Sequence, residues 1–506
     1  MELNIISFSF LPSFFFILFI IGSKILKKKP IITPPGPWRL PFVGNLHQLA
    51  TDQPHRRLTE LAKMYGPIMH IQLGQVQTVI ISSEALAKQV LKTQETHFLE
   101  RPFILAAEIM LYNRTDIIFA PYGDYWRRMK KIAILELLSA KRVCSFRSVR
   151  EDQVSNFIEK LHSEAVLESP VNLSHELLSL TNSIIAITSV GNKFKKQEEM
   201  ISVITVAIVA AGGFSIADAF PSFNRVIPVV TGMRFSLGRI HRKADEILEE
   251  IIKEHKENRA AEMSKNEADN ILDVLLDIQE NGDLEFCLTT NNIKAMILEM
   301  FGAASDTSSS TIEWAMSEMM RNPCIMQKAQ KEVRQVCGIK GTMDEEDLHE
   351  LKYLKMVIKE TLRLHPPLAL IPRECREKSQ LNGYDIYPKT RVLVNVWAIG
   401  RDPKSWKDPE RFYPERFDDS SIDFKGNDFE FLPFGAGKRI CPGITMAMVN
   451  IELIIARMLY HFDWKLPVGA ESKSLDMSES FGLAIKRKTD LILTPIPYDP
   501  ILRLLN

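Results

Sequence analysis

One cysteine in this chain is set up for chemistry. Cys441 ends the run Pro433-Phe434-Gly435-Ala436-Gly437-Lys438-Arg439-Ile440-Cys441, and Pro442-Gly443 leads directly into an apolar helix read from Ile444 to about Phe462. The glycines let a bulky group approach the backbone closely. A helix N-terminus presents unpaired N–H groups and a positive dipole end, and both favour thiolate over thiol. A thiolate in a cramped apolar turn suits haem iron. Other assignments fit less well. Gly437-Lys438 is followed by Arg439 where a phosphate loop needs Ser or Thr. Ile440 stands where a dinucleotide fingerprint needs its third glycine. The plain alternative is a buried structural cysteine in a glycine turn.

A second chemical stretch is Phe301-Gly302-Ala303-Ala304-Ser305-Asp306-Thr307, followed by Ser308-Ser309-Ser310-Thr311. It lies inside a long helix that Thr290 and Asn291 can cap and that Asn322-Pro323 ends after about Arg321. Gly and Ala remove bulk from one side, and the hydroxyls can bond back to i−4 carbonyls and bend the helix. A thin-walled, bent helix bearing an acid and an alcohol can relay protons over a cofactor; a purely structural Ser-rich kink is the competing reading. Glu360 and Arg363 stand three apart on one helical face and can pair, a spacing that also arises by chance. The start of another helix, Tyr125 to Lys131, is densely basic, which by itself reads as a solvated face.

Together these runs resemble the cytochrome P-450 superfamily. Phe434, Gly437, Arg439, Cys441 and Gly443 fill its cysteine-loop signature, Phe-x-x-Gly-x-Arg-x-Cys-x-Gly. Ala303 to Thr307 match the oxygen-activation motif Ala/Gly-Gly-x-Asp/Glu-Thr, with Ala304 in place of the second glycine. The hinge Pro34-Pro35-Gly36-Pro37 and the following Leu40 to Leu46 are similar to microsomal members, and the whole is closest to the plant family-71 clan. The resemblance implies a mainly α fold with a small β region and a haem b whose iron takes Cys441 as axial ligand. It implies Asp306 and Thr307 as the proton-delivering pair, and Phe434, Gly435 and Gly443 around the cofactor. Trp126, Lys130, Arg373 and Arg439 would bind haem propionates. Lys130 replaces the arginine of Trp-x-x-x-Arg, keeping the charge and losing the bidentate fork. Glu360, Arg363 and Arg416 would form a buried structural triad. Ala303, Leu368, Leu370, Ile371, Phe481 and Leu483 would line the substrate pocket, with Ile104 to Ile118 and Ile201 to Phe214 as wider candidate walls.

The implied reaction is monooxygenation of a small hydrophobic metabolite, a terpenoid-type skeleton first and a terpenoid-derived alkaloid next. Neither a flavin nor a nicotinamide motif is present, so electrons would come from NADPH through a separate cytochrome P-450 reductase, with cytochrome b5 as a further partner. Arg127, Arg128, Lys131 and Lys438 could steer an acidic partner. Within the same fold an isomerase or dehydratase needing no O2 is the rival; outside enzymology, a membrane-tethered haem sensor.

The elements that must position these residues follow from the rest of the chain. Leu3 to Ser23 carries no charge and, at about 1.5 Å per helical residue, spans roughly 30 Å, the thickness of a bilayer core. Lys24, Lys27, Lys28 and Lys29 follow, which places the body in the cytosol. Residues 1–29 thus read as a single-pass anchor in the endoplasmic reticulum membrane, 30–45 as a proline-rich hinge and 46–506 as the catalytic domain. Ile68 to Leu73 and Thr78 to Ile81 read as a hairpin around Gly74, and Leu381 to Ile386 and Arg391 to Val396 as β-like. Arg101 to Tyr122 reads as a long functional loop, and 255–270 as a polar surface linker. Over 506 residues, 63 basic and 63 acidic side chains cancel, which leaves no footprint for nucleic acid. Six scattered cysteines without zinc spacing indicate a reducing compartment.

Overall fold

The computed structural model describes residues 33–191, 199–201, 203, 215–261, 270–281, 287–338, 340, 343–467, 469, 471–482 and 484–498. The anchor stretch, Leu483 and most of 201–214 lie outside them. The elements that build the site are, in chain order, α1 (Pro54–Tyr65), β1 (Ile68–Leu73), β2 (Val76–Ile81), α2 (Leu105–Met110), α3 (Asp124–Ile132), α4 (Leu173–Val190), α5 (Met233–Ala261), α6 (Thr290–Arg321), α7 (Lys352–Leu364), β3 (Leu370–Glu374), β4 (Arg391–Asn395), α8 (Ile444–His461), β5 (Glu479–Ser480) and β6 (Lys486–Arg487).

Helix α6 is the spine. It is buried along nearly its whole length, as expected of a helix that is apolar on several faces. Its first half (Ile293, Met296, Ile297, Phe301) packs with Ile247, Leu248 and Ile251 of α5. Its second half (Ile312, Ala315, Met316, Met319) joins Ile454, Ile455 and Leu459 of α8 in a separate cluster. At about 1.5–3 kcal/mol for each large side chain removed from water, two cores meeting on one helix fix its position firmly. Thr289 and Asn292 close a reciprocal capping box at its start, one residue before the expected cap. Among the described residues α8 alone is long and apolar enough to cross a membrane, but most of it is buried, so it reads as a core helix.

The largest sheet of the small β region among the described residues has four strands in the order β1-β2-β4-β3, and β5 and β6 pair separately as a hairpin. The expected hairpin forms in the register Ile68↔Ile81 to Leu73↔Val76, with Gly74 at φ +60 in its turn. β4 runs parallel to β2 and antiparallel to β3. The proline-rich segment read as a hinge is pinned to the four-stranded sheet, because Pro35 O accepts the His70 N–H at 2.8 Å and Gly44 bridges to Leu73.

Two expectations are corrected. The segment Arg101 to Tyr122 is not loop throughout, since it contains α2, whose Leu105, Ala106, Ala107 and Met110 are buried. The polar stretch from residue 255 does not begin a linker: α5 continues through it to Ala261. Tertiary contacts supply what an apolar face would have supplied. His255 bonds Asp273 and Val190 O, and Arg259 donates to Asp273 O at 3.0 Å.

Candidate functional site

A largely apolar cavity of about 330 Å³ lies where α6, the residues before α3, the start of β3 and the cysteine run converge. Cys441, Phe434, Gly435 and Gly443 border it, as do Ala303, Asp306 and Thr307 of α6. Sequence positions more than a hundred residues apart therefore share one space.

Backbone geometry explains the cysteine run. Gly435 and Gly437 adopt φ +71 and +70, values that disfavour any side chain. A Cβ on Gly437 would stand 2.0 Å from Leu91 O. The Cys441 N–H returns to Phe434 O at 3.0 Å, and the Lys438 N–H is held by the Glu95 carboxylate at 2.8 Å. Gly443 immediately precedes α8. Burial pushes the Cys441 thiol up, against smaller opposite pulls from the Gly443 N–H and Lys130. The helix end expected to favour thiolate does pull that way through the Gly443 N–H while burial opposes it, and a bound metal cation would add to the pull toward thiolate.

Three buried cations, Lys130, Arg373 and Arg439, and the half-buried Arg101 border the same cavity. Burial lowers Lys130 to about 8, with Arg439 and Arg373 adding repulsion. Burial, then Arg101, lowers Arg439 to about 9. Arg373 is driven well below its ordinary value by burial, then by Arg101 and Arg439. Arg439 spans the cavity-lining segment 99–120, the wall loop, donating to Leu99 O (3.1 Å), Ile117 O (3.2 Å) and Ala120 O (2.7 Å), and lies 4.3 Å over the Trp126 ring. The Trp126 indole N–H also reaches Ile117 O, at 2.9 Å. Lys130 donates to Lys438 O and Ile440 O, so it is tied to the cysteine run itself. Of the basic residues read as steering groups, Arg127 pairs with Asp124 and Lys438 lies 3.6 Å from Glu95.

Sequence reading missed Arg101, Asp116 and Glu299. Arg101 donates to Ile118 O at 2.9 Å and Pro372 O at 2.5 Å, joining the wall loop to β3. Glu299 accepts the Ile117 N–H at 2.7 Å. Burial raises Asp116 to about 6 and Glu299 well above the carboxylate range. A lone charge within Ile297-Leu298-Glu299-Met300-Phe301 was the available signal, since a charge in an apolar helical run needs a buried partner.

On α6 the Thr307 hydroxyl donates to Ala303 O at 2.7 Å and the Thr311 hydroxyl to Thr307 O at 2.8 Å, the expected back-bonding. Asp306 Oδ2 lies 2.7 Å from Lys486 Nζ. The scaffold triad assembles as well. Fully buried Glu360 accepts from Arg363 Nε (2.7 Å) and Nη2 (2.8 Å), from Arg416 Nε (2.9 Å) and from the Tyr413 N–H (2.8 Å).

Of the candidate substrate residues, Ala303, Leu368 and Ile371 border the cavity and Leu370 and Phe481 do not. Successive strand residues face opposite sides, so β3 sends Ile371 to the cavity side and Leu370 into the core around α1 with Phe481, which stacks on His55 at 5.7 Å. Ala484, past the same turn, does border the cavity.

The model of the cytochrome P450 family matches residues 34–493. The chain is 57% identical to cytochrome P450 726A27 of Euphorbia lathyris, over 98% of this chain and 99% of that one. It is 51% identical to premnaspirodiene oxygenase of Hyoscyamus muticus and 49% identical to the melianol synthase of Azadirachta indica, each over 92% of this chain and 93% of the other. Among solved structures, a zebra fish cytochrome P450 with abiraterone superposes with a TM-score of 0.74 at 25% identity, covering 88% of this chain and 99% of that one.

Proposed function

The chain belongs to the cytochrome P450 family and is a monooxygenase, and from that premise we propose that it oxidises a small hydrophobic terpenoid-type plant metabolite with O2 and electrons passed from NADPH by a separate reductase. The observation that carries the proposal is the sharing of one apolar cavity by the Cys441 sulfur and the Asp306–Thr307 pair, bordered by four cations of which three are buried. The fold family holds haem iron, and the residues fit that group. The cavity offers one thiol, apolar walls, and a surplus of buried positive charge that needs anionic partners; the two propionates of haem b would be such partners. Cys441 would hold the iron through its sulfur, Arg101, Lys130, Arg373 and Arg439 would pair with the propionates, and Gly435 and Gly443 would leave room beside the cysteine run. When bound, the group supplies oxygen activation, helped by electron release from the thiolate.

The chain's own residues do the rest. Ala303, Leu368, Ile371 and Ala484 give the substrate an apolar seat, which excludes water and orients one C–H bond. Asp306 and Thr307 carry protons into the cavity from the α6 side. Overall, R–H, O2, two electrons and two protons give R–OH and water. The names of the premnaspirodiene oxygenase and melianol synthase relatives support the terpenoid class.

An anchored, cytosol-facing body at the endoplasmic reticulum is supported by the surface beside the hinge. Trp38 and Phe42 are exposed there. The Gln75 N–H, in the β1–β2 turn, reaches Ala219 O at 2.8 Å, leading into the exposed Phe223, Val229, Val230 and Phe235. An exposed apolar patch of this kind suits a lipid surface.

The test is turnover in microsomes with reductase, NADPH and O2 over a panel of terpenoids, alkaloids and phenylpropanoids. An oxygenated terpenoid that requires all three supports the proposal. Product formed without O2 or NADPH establishes the isomerase or dehydratase reading instead, and ligand binding with no product under any condition establishes the sensor reading.

A further inference from the structure

We propose that Lys486 is the positioning residue of the acid–alcohol pair, holding the Asp306 carboxylate at the cavity wall where protons enter from solvent; this rests on the monooxygenase reading above. Asp306 is a nearly buried carboxylate whose side chain is 9% exposed, whereas that of Lys486, 2.7 Å away, is 36% exposed. The pair therefore joins the cavity to water. A carboxylate bordering an apolar cavity needs a fixed partner, and Lys486 supplies it from outside α6.

The hairpin bearing Lys486 stays in place without this pair. Buried Glu479 on β5 accepts from His55 Nε2 (2.9 Å), Arg56 Nε (2.8 Å) and Trp397 Nε1 (3.3 Å). The Ile485 N–H reaches Pro367 O at 2.8 Å, and the Ser310 hydroxyl reaches Ile485 O at 2.8 Å. Arg487 donates to the Ser317 hydroxyl at 3.0 Å and lies 3.7 Å from Glu313. Asp306, Ser310, Glu313 and Ser317 are spaced i, i+4, i+7 and i+11, so the hairpin follows one face of α6. Three of those four contacts fix the fold. The fourth has an exposed partner and contributes little to stability by itself; its consequence lies in where it holds Asp306.

Each proton moves from water onto the Asp306 carboxylate and is released into the cavity through the Thr307 hydroxyl, which takes one proton as it gives one up. Asp306 returns to carboxylate, and no charge stays in the wall.

The test uses the haem-loaded, full-length enzyme with Lys486→Met and Lys486→Arg. Lys486→Met is expected to keep haem content and melting temperature while hydrogen peroxide released per product rises about tenfold, less than the roughly 10²–10⁴-fold that losing the proton-transferring group itself gives. The solvent isotope effect on NADPH consumption should rise with it, and Lys486→Arg should restore both. Independently of turnover, the Lys486 amine should be labelled several-fold faster by an amine-reactive reagent in Asp306→Asn than in the wild type. A peroxide ratio within twofold of wild type, or failure of Lys486→Met to load haem, overturns the proposal while leaving the monooxygenase reading intact. A wild type that makes no product under any condition overturns both.

Discussion

Removing the Arg363 side chain should leave almost no haem-loaded protein. This guanidinium donates five hydrogen bonds: two to Glu360 and one each to Gly400 O (2.6 Å), Pro409 O (2.7 Å) and Arg411 O (3.2 Å). Arg363→Ala breaks a fully buried ion pair, for which about 3–5 kcal/mol, the cost of leaving the other charge uncompensated, is the upper bound. Glu360 keeps Arg416 and Tyr413, and Arg411 O keeps an Arg416 donor at 3.2 Å, so neither is stranded. Gly400 O and Pro409 O lose the Arg363 donor, at about 1–3 kcal/mol each if nothing replaces it. Even without full additivity the loss rivals a total stability of about 5–15 kcal/mol. The assay is the reduced carbon monoxide spectrum per amount of immunodetected chain, with Arg363→Lys as the charge-keeping comparison. Arg363→Ala should fall below about a tenth of wild type, and Arg363→Lys should lie between, because it restores the charge without the fork. Wild-type spectral yield and melting temperature in Arg363→Ala would refute the view that this triad carries the cradle.

Cys441→Ala should abolish the thiolate-type spectrum of the reduced carbon monoxide complex; a retained spectrum would falsify the assignment of Cys441 as ligand. Gly437→Ala should lose at least about 1–3 kcal/mol from positive φ alone, with the Leu91 O clash added, and this can be read as a lower melting temperature and poor haem retention. Burial raises Glu452 on α8 to about 7. Its folded form therefore favours the proton, and its contribution is fully present below about pH 4.5 and is lost as pH rises through 7. Glu452→Gln should accordingly melt higher than wild type at pH 8 and equally at pH 4.5; equal melting at both would show that the site is solvated.

The sequence made the placement of the candidate site residues legible where identity and spacing suffice. Cys441 in its glycine run, Asp306-Thr307 on a long helix, and Glu360 with Arg363 and Arg416 all came together as read. What stayed hidden depends on contacts across the chain. Arg101, Asp116 and Glu299 meet only because the wall loop folds under α6, and Lys486 finds Asp306 from 180 positions away. The helical path through 255–261 was invisible because its support is polar and tertiary. Leu370 points to the other face of its strand and Phe481, just past the end of β5, packs on His55, and a motif resolves neither. The thiol was expected to favour its ionised form because a helix dipole can be seen in a sequence, whereas burial cannot.

The alternation along β3 has an evolutionary consequence. Ile371 faces the pocket while Leu370, its neighbour, belongs to the core beneath the sheet. Ile371 also packs in the core beside Val392 and Val394, so a swap there that keeps its volume changes the cavity wall at little cost to folding, whereas a truncation opens that core as well. A single inserted or deleted residue in the same strand would exchange the two faces, sending Leu370 toward the ligand and opening a hole in the core. Selection for new substrates should thus act on this strand by swapping side chains and never by changing its length.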